Sequence, residues 1–485
     1  MTKAKFKNIS DMLTHRYIAK IILEAETPLF VGSGQASLTS DAIVMRDAYG
    51  YPMIPGTSLV GVLRHELGFG DPKEKTDFFG WQDGDKGEGS KLRVSSAYLI
   101  LDGKIPDGSS DTYLADFENL PTRQHVRIND LGAAEDKGLF DNEVVYKGCR
   151  FIFEMEARGT QEDAETWDQV IQALKSPLFR IGQGTRNGYG RLRVLGIKEE
   201  KLNLNNADDF EKYLNYDNGL SIEDVPCDTS SNLLNFDQLH GKYNVYRLEL
   251  TPELGFIFGA GTGDDEVDAM PVIERVVKYD DDWNLQFANE EQILIPGSSV
   301  KGAIRHRTCF HYNRRKKRWA EIYTGAIRSL ITGIENKAVY DLFGAEGGWK
   351  GDQHDGLFDE QHNQKNSGGT RTPKRGHVLI NDVFLEKAKA EKILNHVTID
   401  RFTGGAKDGH LFSEKVATLQ DQSMIALEIV LERNDFDDDV IGAFEDALRD
   451  ICSGLLPLGG MTTKGHGIFT GKVFKNNKKL FEYES

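Results

Sequence analysis

Hydrophobic and polar positions along the chain form two long series that resemble each other. The first opens with "YIAKIILEAETPLFVGSG" (17–34) and the second with "YRLELTPELGFIFGAGTG" (246–263), each a strand-like run ending in a Gly-rich loop. A turn into a helix follows in both, "IPGTSLVGVLRHE" (54–66) and "IPGSSVKGAIRHR" (295–307), offset by 241 positions. Next come an FFG or LFG signal (78–80; 342–344) and a strand, "SKLRVSSAYLI" (90–100) and "RGHVLINDVFL" (375–385). Then "HVRI" (125–128) recurs as "HVTI" (396–399), and "AAEDKGLF" (133–140) as "GGAKDGHLF" (404–412). Both series close on a β-rich run (Phe151–Ala157; Met424–Leu431), an amphipathic helix, a Gly loop and a last strand. The first helix places Trp167, Val170, Ile171 and Leu174 on one face at i, i+3, i+4, i+7, and the second uses Val440, Ile441, Phe444, Leu448 and Ile451.

So many matches in one order identify a duplication. Strands alternating with a few helices predict an α+β fold of two tandem units, each a small sheet with helices on one face. The first unit is expected over 1–200 and the second over 243–485, joined by an acidic linker at 201–242. An insert near 345–370, rich in Gly, Asn and Gln, reads as a loop.

Composition adds limits. The 485 residues are too many for one ordinary core. No apolar run approaches the ~18 residues of a membrane span, and "MTKAKFKNIS" has no apolar h-region, so a cytoplasmic location is expected. Four scattered cysteines without a CxxC pair argue against a disulfide framework and for a reducing compartment. Net charge is −17, but the charge is uneven: Lys301 to Arg318 holds eight basic residues and no acid, and Arg180 to Arg193 four arginines and no acid. Local basic patches of that kind suit a polyanion better than the sum suggests.

The repeated turn has a local mechanism. Pro55 and Pro296 rigidify its entry, Gly56 and Gly297 are expected to let the chain turn sharply, and Thr57/Ser58 and Ser298/Ser299 to cap the helix. A helix start presents N–H groups to an anion, with Lys301 and Arg305 about a turn away. An ordinary capped helix with a solvated basic face is the bland alternative. The loops "RIGQGTRNGYGRLRV" (180–194) and "LGGMTTKGHGIFTGKV" (458–473) allow close approach to phosphates, or else serve tight packing. Neither matches GxxxxGK[ST] or opens a helix after a strand, which argues against a mononucleotide site. Asp41 in "TSDAIVMRD" and Asp268 in "EVDAMPVIE" stand in the loop after each first strand, where a carboxylate either caps a turn or holds a divalent cation and helps deprotonate a ribose 2′-hydroxyl. His306, Cys309 and His311 have metal-ligand types but not one helical face, so no structural zinc is expected.

On these motifs the chain resembles the RAMP superfamily of CRISPR-associated proteins, and within it the Cas-seven-type, Csm-three-like backbone subunits of type III effector complexes. "IPGSSVKGAIRHR", "DLFG", "TIDRFTGGAKDGHLF" and the closing Gly loop carry the resemblance most fully, and it looks like a tandem, fused pair as in type III-D-like systems. The resemblance implies modified RNA-recognition-motif (ferredoxin-like) palms with thumbs near 121–147 and 393–416. It implies crRNA, target RNA and other effector subunits as partners, with no membrane. It places target-RNA cleavage on Asp41 and Asp268 with Mg2+ or another divalent cation. It maps Ser58, Ser298, Ser299, Arg64, Lys301 and Arg305 onto the guide-binding segment. Together with the Gly-loop and histidine candidates read from the residues themselves, the expected RNA-binding set is Ser58, Arg64, His125, Gly182, Gly184, Arg186, Gly188, Gly190, Ser298, Ser299, Lys301, Arg305, His396, Arg401, Gly459, Gly460, Lys464 and Gly465. Departures exist: Val60 stands where the second copy has Lys301, and Asn129-Asp130 where it has Asp400-Arg401. Asp268 precedes Ile295 by 27 residues, whereas Asp41 precedes Ile54 by 13. A purely structural guide holder and a guide-processing endoribonuclease are the competing readings.

Overall fold

The structure is a computed structural model that describes residues 13–483 except 39, 70–75, 109–112, 130–131, 228–240, 320–330, 334–335, 346–372 and 421–422. The expected insert, apart from its first residue, lies outside the described residues, as do Asp130 and residues 228–240 of the expected linker.

Each unit is built on an antiparallel sheet whose first strand lies centrally. In the first unit His15–Ala25 runs between Leu192–Asn203 and Arg150–Gly159, and the latter pairs onward with Ala97–Leu99 and with Leu92–Val94. In the second, Tyr243–Pro252 runs between Phe469–Lys475 and Ile425–Glu432, and Val378–Asn381 follows. The amphipathic helices cover one face of each sheet. Trp167, Val170, Ile171 and Leu174 are buried on Ala164–Leu174, as the spacing predicts, each contributing about 1.5–3 kcal/mol of burial. On Asp438–Cys452 the buried set is Val440, Phe444, Leu448 and Ile451 with Ala443 and Ala447, while Ile441 is half-buried at the rim.

The IPG turns work differently from expectation. Pro55 and Pro296 are themselves the N-cap residues of Gly56–Glu66 and Gly297–Arg315, and neither supplies a side-chain cap to its helix. Ser58 and Ser299 sit in the first turn, their N–H groups donating to the Pro55 and Pro296 carbonyls. Neither glycine adopts a left-handed φ. Glycine is required instead for close approach: a Cβ on Gly56 would stand 2.3 Å from the Val94 carbonyl oxygen, and one on Gly297 3.0 Å from the Ile380 carbonyl oxygen.

Two joins bind the units. Asn187–Gly188 of the first adds as a parallel strand to Val378–Asn381 of the second. In return, the longer loop of the second unit forms a hairpin, Val277–Tyr279 with Leu285–Phe287, that plants itself in the first. Val277 and Leu285 belong to the first unit's core. The Val277 N–H donates to the Lys147 carbonyl, and the Tyr279 hydroxyl donates to that of Ile100. The acidic segment after 200 is more than a tether. Its helix Ala207–Leu214 lies against Leu192–Asn203, Ile222 and Val225 are buried on the sheet's outer face, and Lys20 Nζ donates to the Gly219 carbonyl at 2.6 Å. Among the described residues no helix is long and apolar enough to cross a membrane.

The join at Gly148 sets a test. It has a φ of +93°, and a Cβ there would stand 1.8 Å from the Val277 carbonyl oxygen. Gly148→Ala is expected to destabilise the chain by about 2–3 kcal/mol, read as a lowered thermal midpoint. Gly34→Ala, at a φ of +78° with open space around it, should cost about 1 kcal/mol.

Candidate nucleic-acid interface

Asp41 and Asp268 lie at the same place in their units. Both are exposed, and both dock on the returning strand of a long hairpin: Thr122–Ile128 with Ala134–Glu143 in the first unit, Ala388–Ile399 with Ala406–Leu419 in the second. The Asp141 N–H donates to Asp41 Oδ2 at 3.1 Å, and the Asp41 N–H donates to Asp141 Oδ1 at 2.7 Å. In the second unit the Ser413 N–H and hydroxyl donate to Asp268 Oδ2 at 2.8 and 3.1 Å. Asp141 and Ser413 are equivalent, each directly after the paired Phe140 or Phe412. The two loops differ in length because the extra residues after Asp268 form the hairpin planted in the first unit.

The hairpins stand in solvent with apolar side chains at matching positions. Val126 pairs with Leu139, and Val397 with Leu411, all at least half exposed or nearly so (50%, 66%, 46% and 71%). Phe402 at the second tip is 89% exposed, with the Arg401 guanidinium 5.6 Å from its ring centre. His125 and His396 face inward at the bases. His125 stacks on Phe140 and its Nε2 meets the Tyr189 hydroxyl at 2.9 Å; burial, then Arg123, lowers its pKa. His396 Nε2 and His466 Nε2 both meet Glu414 Oε1 at 2.8 Å, and Lys464 lies 3.7 Å from Glu414 Oε2.

The strongest charge concentration lies at the seam between units, where the sequence reading expected two separate sites. There the Gly loop of the first unit meets the IPG helix of the second. Lys301 Nζ donates to the Arg186 carbonyl and to Asn187 Oδ1, both at 3.1 Å. Burial, then Arg186, Arg305 and Arg180, push the Lys301 ammonium down to about 7. Arg180 is 7% exposed; its Nη2 donates to Asn381 Oδ1 at 2.6 Å, while its Nε and Nη1 have no protein partner among the described residues. Burial, then Arg191 and Arg186, lower it to about 9. Arg180 and Lys301 are thus buried cations with little counter-charge, which a nearby anion would stabilise. Beside them Arg186 Nη2 donates to Glu432 at 2.8 Å; burial would raise that carboxyl, but hydrogen bonds from His377 and Arg186 hold it at about 2. Beneath lies Arg123, 6% exposed, whose guanidinium bridges Glu274 (2.5 and 2.8 Å) and Asp382. Asp382 Oδ1 also accepts the Gly297 N–H at 2.8 Å, which satisfies the start of the long helix.

Several expected RNA contacts are committed elsewhere. Arg64 donates to the carbonyls of Phe69 and Gly80, which ties it to its own loop. Gly182, Gly190 and Gly459 are required by packing, since a Cβ would stand 2.2 Å from Phe30 O, 2.1 Å from Ile181 O and 2.3 Å from Ile257 O. Gly184 meets the Tyr189 ring and Gly188 meets Asp382 in the same way. Gly460 and Gly465 retain space, and Ser298 lies part-buried in the first helical turn. Four of the eight basic residues in 301–318 pair with the acidic helix beside them: Arg307 donates to Asp450, Arg315 to Asp446 and Lys316 to Asp439, and Arg314 lies 3.7 Å from Asp446. His311 Nε2 meets Asp450 at 2.7 Å, and the Cys309 thiol donates to the Ile331 carbonyl, so these metal-type residues serve packing. Sequence reasoning missed Arg123, Arg180, Asp382 and Asp141, all of which act across distances the repeat comparison alone does not reveal.

A sheet with helices on one face, a loop carboxylate and a projecting hairpin, present twice and joined by a cationic seam, define a tandem α+β protein of two ferredoxin-like units. The chain belongs to the RAMP superfamily, whose profile matches residues 22–193 and 286–470. The protein named CRISPR system Cms endoribonuclease Csm3, from Methanocaldococcus jannaschii, is 30% identical over 202 residues, covering 38% of this chain and 81% of its own length. A chain from a cryo-EM structure of the apo state of a type III-B Cmr-beta complex aligns with 36% of this chain and 96% of itself, at 17% identity and a TM-score of 0.28.

Two outcomes follow from the seam. Arg123→Ala leaves Glu274 and Asp382 buried without their cation and should cost about 3–5 kcal/mol in denaturant unfolding. For Lys301, the pKa of about 7 rises when an anion supplies counter-charge, so polyanion binding takes up a proton. RNA affinity should therefore fall as pH rises from 7 to 9, by up to about tenfold per unit. Lys301→Met should flatten that slope in a filter-binding titration.

Proposed function

We propose that this chain is a crRNA-binding backbone subunit of a cytoplasmic type III CRISPR effector complex, two backbone units fused in one chain, which also cuts bound target RNA at its loop aspartates. The observation that carries the reading is the equivalence of Asp41 and Asp268, each exposed and held against the same hairpin residue. Superfamily membership in both halves and the name of the Methanocaldococcus relative support it.

The cationic seam would take a guide phosphate through charge alone, which suits a ligand whose sequence varies. The hairpins offer exposed apolar wedges of the kind that separate stacked bases. Asp41 with Asp141, and Asp268 with the Ser413 hydroxyl, match the way Mg2+ is commonly held, through one or two carboxylates plus substrate phosphate oxygens. When bound, such a cation supplies charge stabilisation at the reacting phosphate. The chain's own contribution is positional: the N–H groups of Asp141 and Ser413 fix one carboxylate oxygen, and the carboxylate accepts a proton from the ribose 2′-hydroxyl as the 2′-oxygen attacks the adjacent phosphate. A 2′,3′-cyclic phosphate forms while the P–O5′ bond breaks, and the departing 5′-oxygen takes a proton from water.

A second reading is a purely structural backbone subunit. The reciprocal Asp41–Asp141 hydrogen bonds favour it, because they give Asp41 a role in seating the hairpin without any chemistry.

The deciding experiment is target-RNA cleavage by the guide-loaded, reconstituted complex with Mg2+. Asp41→Ala and Asp268→Ala should each remove one distinct product, with that cut slowed by about 10²-fold or more and the complex still assembled. A product ladder that survives the double variant would sink the enzyme reading and leave the structural one.

A further inference from the structure

The two hairpins fasten their aspartate loops by the same backbone bonds but with side chains of opposite charge. In each unit the residue two places beyond the docking residue donates its N–H to the carbonyl just after the aspartate: Glu143 to Ala42 at 3.0 Å, and Lys415 to Ala269 at 2.9 Å. Side chains alternate along a strand, so Lys415 shares a face with Ser413, about 7 Å from it. On that face Ser413 holds Asp268.

Glu143 belongs to the scaffold of its own unit. Its carboxylate accepts the Val44 N–H at 3.1 Å and stands 3.4 Å from Arg46, which itself donates to the Gly50 carbonyl at 2.9 Å. Lys415 is held differently. Among the described residues its ammonium bonds side chains alone, Asp264 at 2.6 Å and Glu266 at 2.9 Å. Both carboxylates lie in the loop that leads into Asp268. They are 35% and 67% exposed, whereas Lys415 is only 17% exposed. Ion pairs with carboxylates that face water are weak and readily exchanged. The ammonium is therefore kept beside Asp268 by partners that a phosphate can replace.

The charge of the loop gives that cation a purpose. "GTGDDEVD" (261–268) carries four acids, while the matching stretch "GQASLTSD" (34–41) carries Asp41 alone. An RNA phosphate approaching Asp268 meets three loop carboxylates that one approaching Asp41 does not. The copy with the acidic loop has a lysine on its hairpin, and the copy with the neutral loop has a glutamate at the same place.

We propose that Lys415 is a phosphate ligand of the second site with no counterpart in the first: target RNA bound at Asp268 draws the ammonium from Asp264 and Glu266 onto a non-bridging oxygen of the scissile phosphate. The proposal rests on the reading of Asp268 as a cleavage residue. The two carboxylates lose little in the exchange, because both already reach water. The ammonium then offsets the negative charge that grows on the phosphate as the 2′-oxygen attacks. The two cuts thus differ in charge balance, since the first hairpin offers Asp141 and Glu143 where the second offers Ser413 and Lys415.

Fastening the loop is the rival role for Lys415, and the two roles predict opposite results when its partners are neutralised. The test uses the guide-loaded complex with two readouts: cleavage of full target RNA, and affinity across salt for a short target fragment with 2′-deoxyribose at the second cut. Lys415→Met should slow by ~10-fold or more the cut that Asp268→Ala removes, and leave the Asp41 cut unchanged. It should also lower the slope of log affinity against log salt by about 0.7–1, the loss of one phosphate contact. Lys415→Arg should retain both properties. Asp264→Asn with Glu266→Gln frees the ammonium while an Asn side chain can still cap the turn at Glu266 and Val267, so the second cut and the slope should stay at or above the original values. A second cut slowed as much by that double variant as by Lys415→Met overturns the proposal and makes Lys415 a fastener. An unchanged slope in Lys415→Met overturns it too. A lowered slope together with a product ladder that survives Asp41→Ala with Asp268→Ala would instead remove the cleavage reading and leave the Lys415 contact standing.

Discussion

Everything at the centre of this molecule depends on one buried guanidinium. Arg123 comes from the base of the first hairpin and reaches Glu274 and Asp382 of the second unit, in a place where an unpaired charge of either sign would be costly. Asp382 in turn holds the first N–H of the long helix, and its side chain occupies the space that a Cβ on Gly188 would need. One ion cluster thus sets the register of the added strand Asn187–Gly188, the start of the helix and the depth to which the Gly loop sinks. The cationic seam inherits its geometry from that arrangement: Lys301 donates to Arg186 and Asn187 of the added segment, and Arg180 to Asn381 on the strand that segment pairs with. Removing the charge from Arg123 would loosen the proposed phosphate receptor without touching it.

Much of the fold was legible because repetition and periodicity are properties of short windows. The i, i+3, i+4, i+7 set at Trp167 to Leu174 reports a helix face wherever that helix ends up. The first strands even announce how they are covered. "YIAKIILEA" is buried almost continuously, as befits a strand covered on both faces, whereas "YRLELT" alternates, as befits one with an open face. Pairings across the seam left no such trace. Asp382 and Arg123 are separated by 259 positions, and no periodicity marks either one.

The candidate site was legible to a similar depth. Asp41 and Asp268 were found by their place before the IPG turn, although the longer second loop obscured the match. Its extra residues make the hairpin that enters the first unit, so the irregularity in the repeat is itself what joins the copies. The Gly loops were harder to interpret, because a glycine that admits a phosphate and a glycine squeezed by a carbonyl look the same in sequence. At Gly182, Gly190 and Gly459 the squeeze is the reason. The basic run after Lys301 misled for the opposite reason: its counter-charges, Asp439, Asp446 and Asp450, lie on another helix more than a hundred residues away.

That pairing of a basic helix with an acidic one has a thermodynamic consequence. Lysines and arginines that already hold carboxylates gather few small ions around a bound nucleic acid, and they displace few when it binds. Under the proposed function, the salt dependence of RNA binding is set by the cations at the seam, Lys301 among them, and not by Arg307, Arg314, Arg315 and Lys316, which already hold carboxylates. A chain with a net charge of −17 can in this way hold a polyanion by a small, well-placed set of contacts while its remaining surface repels stray ones.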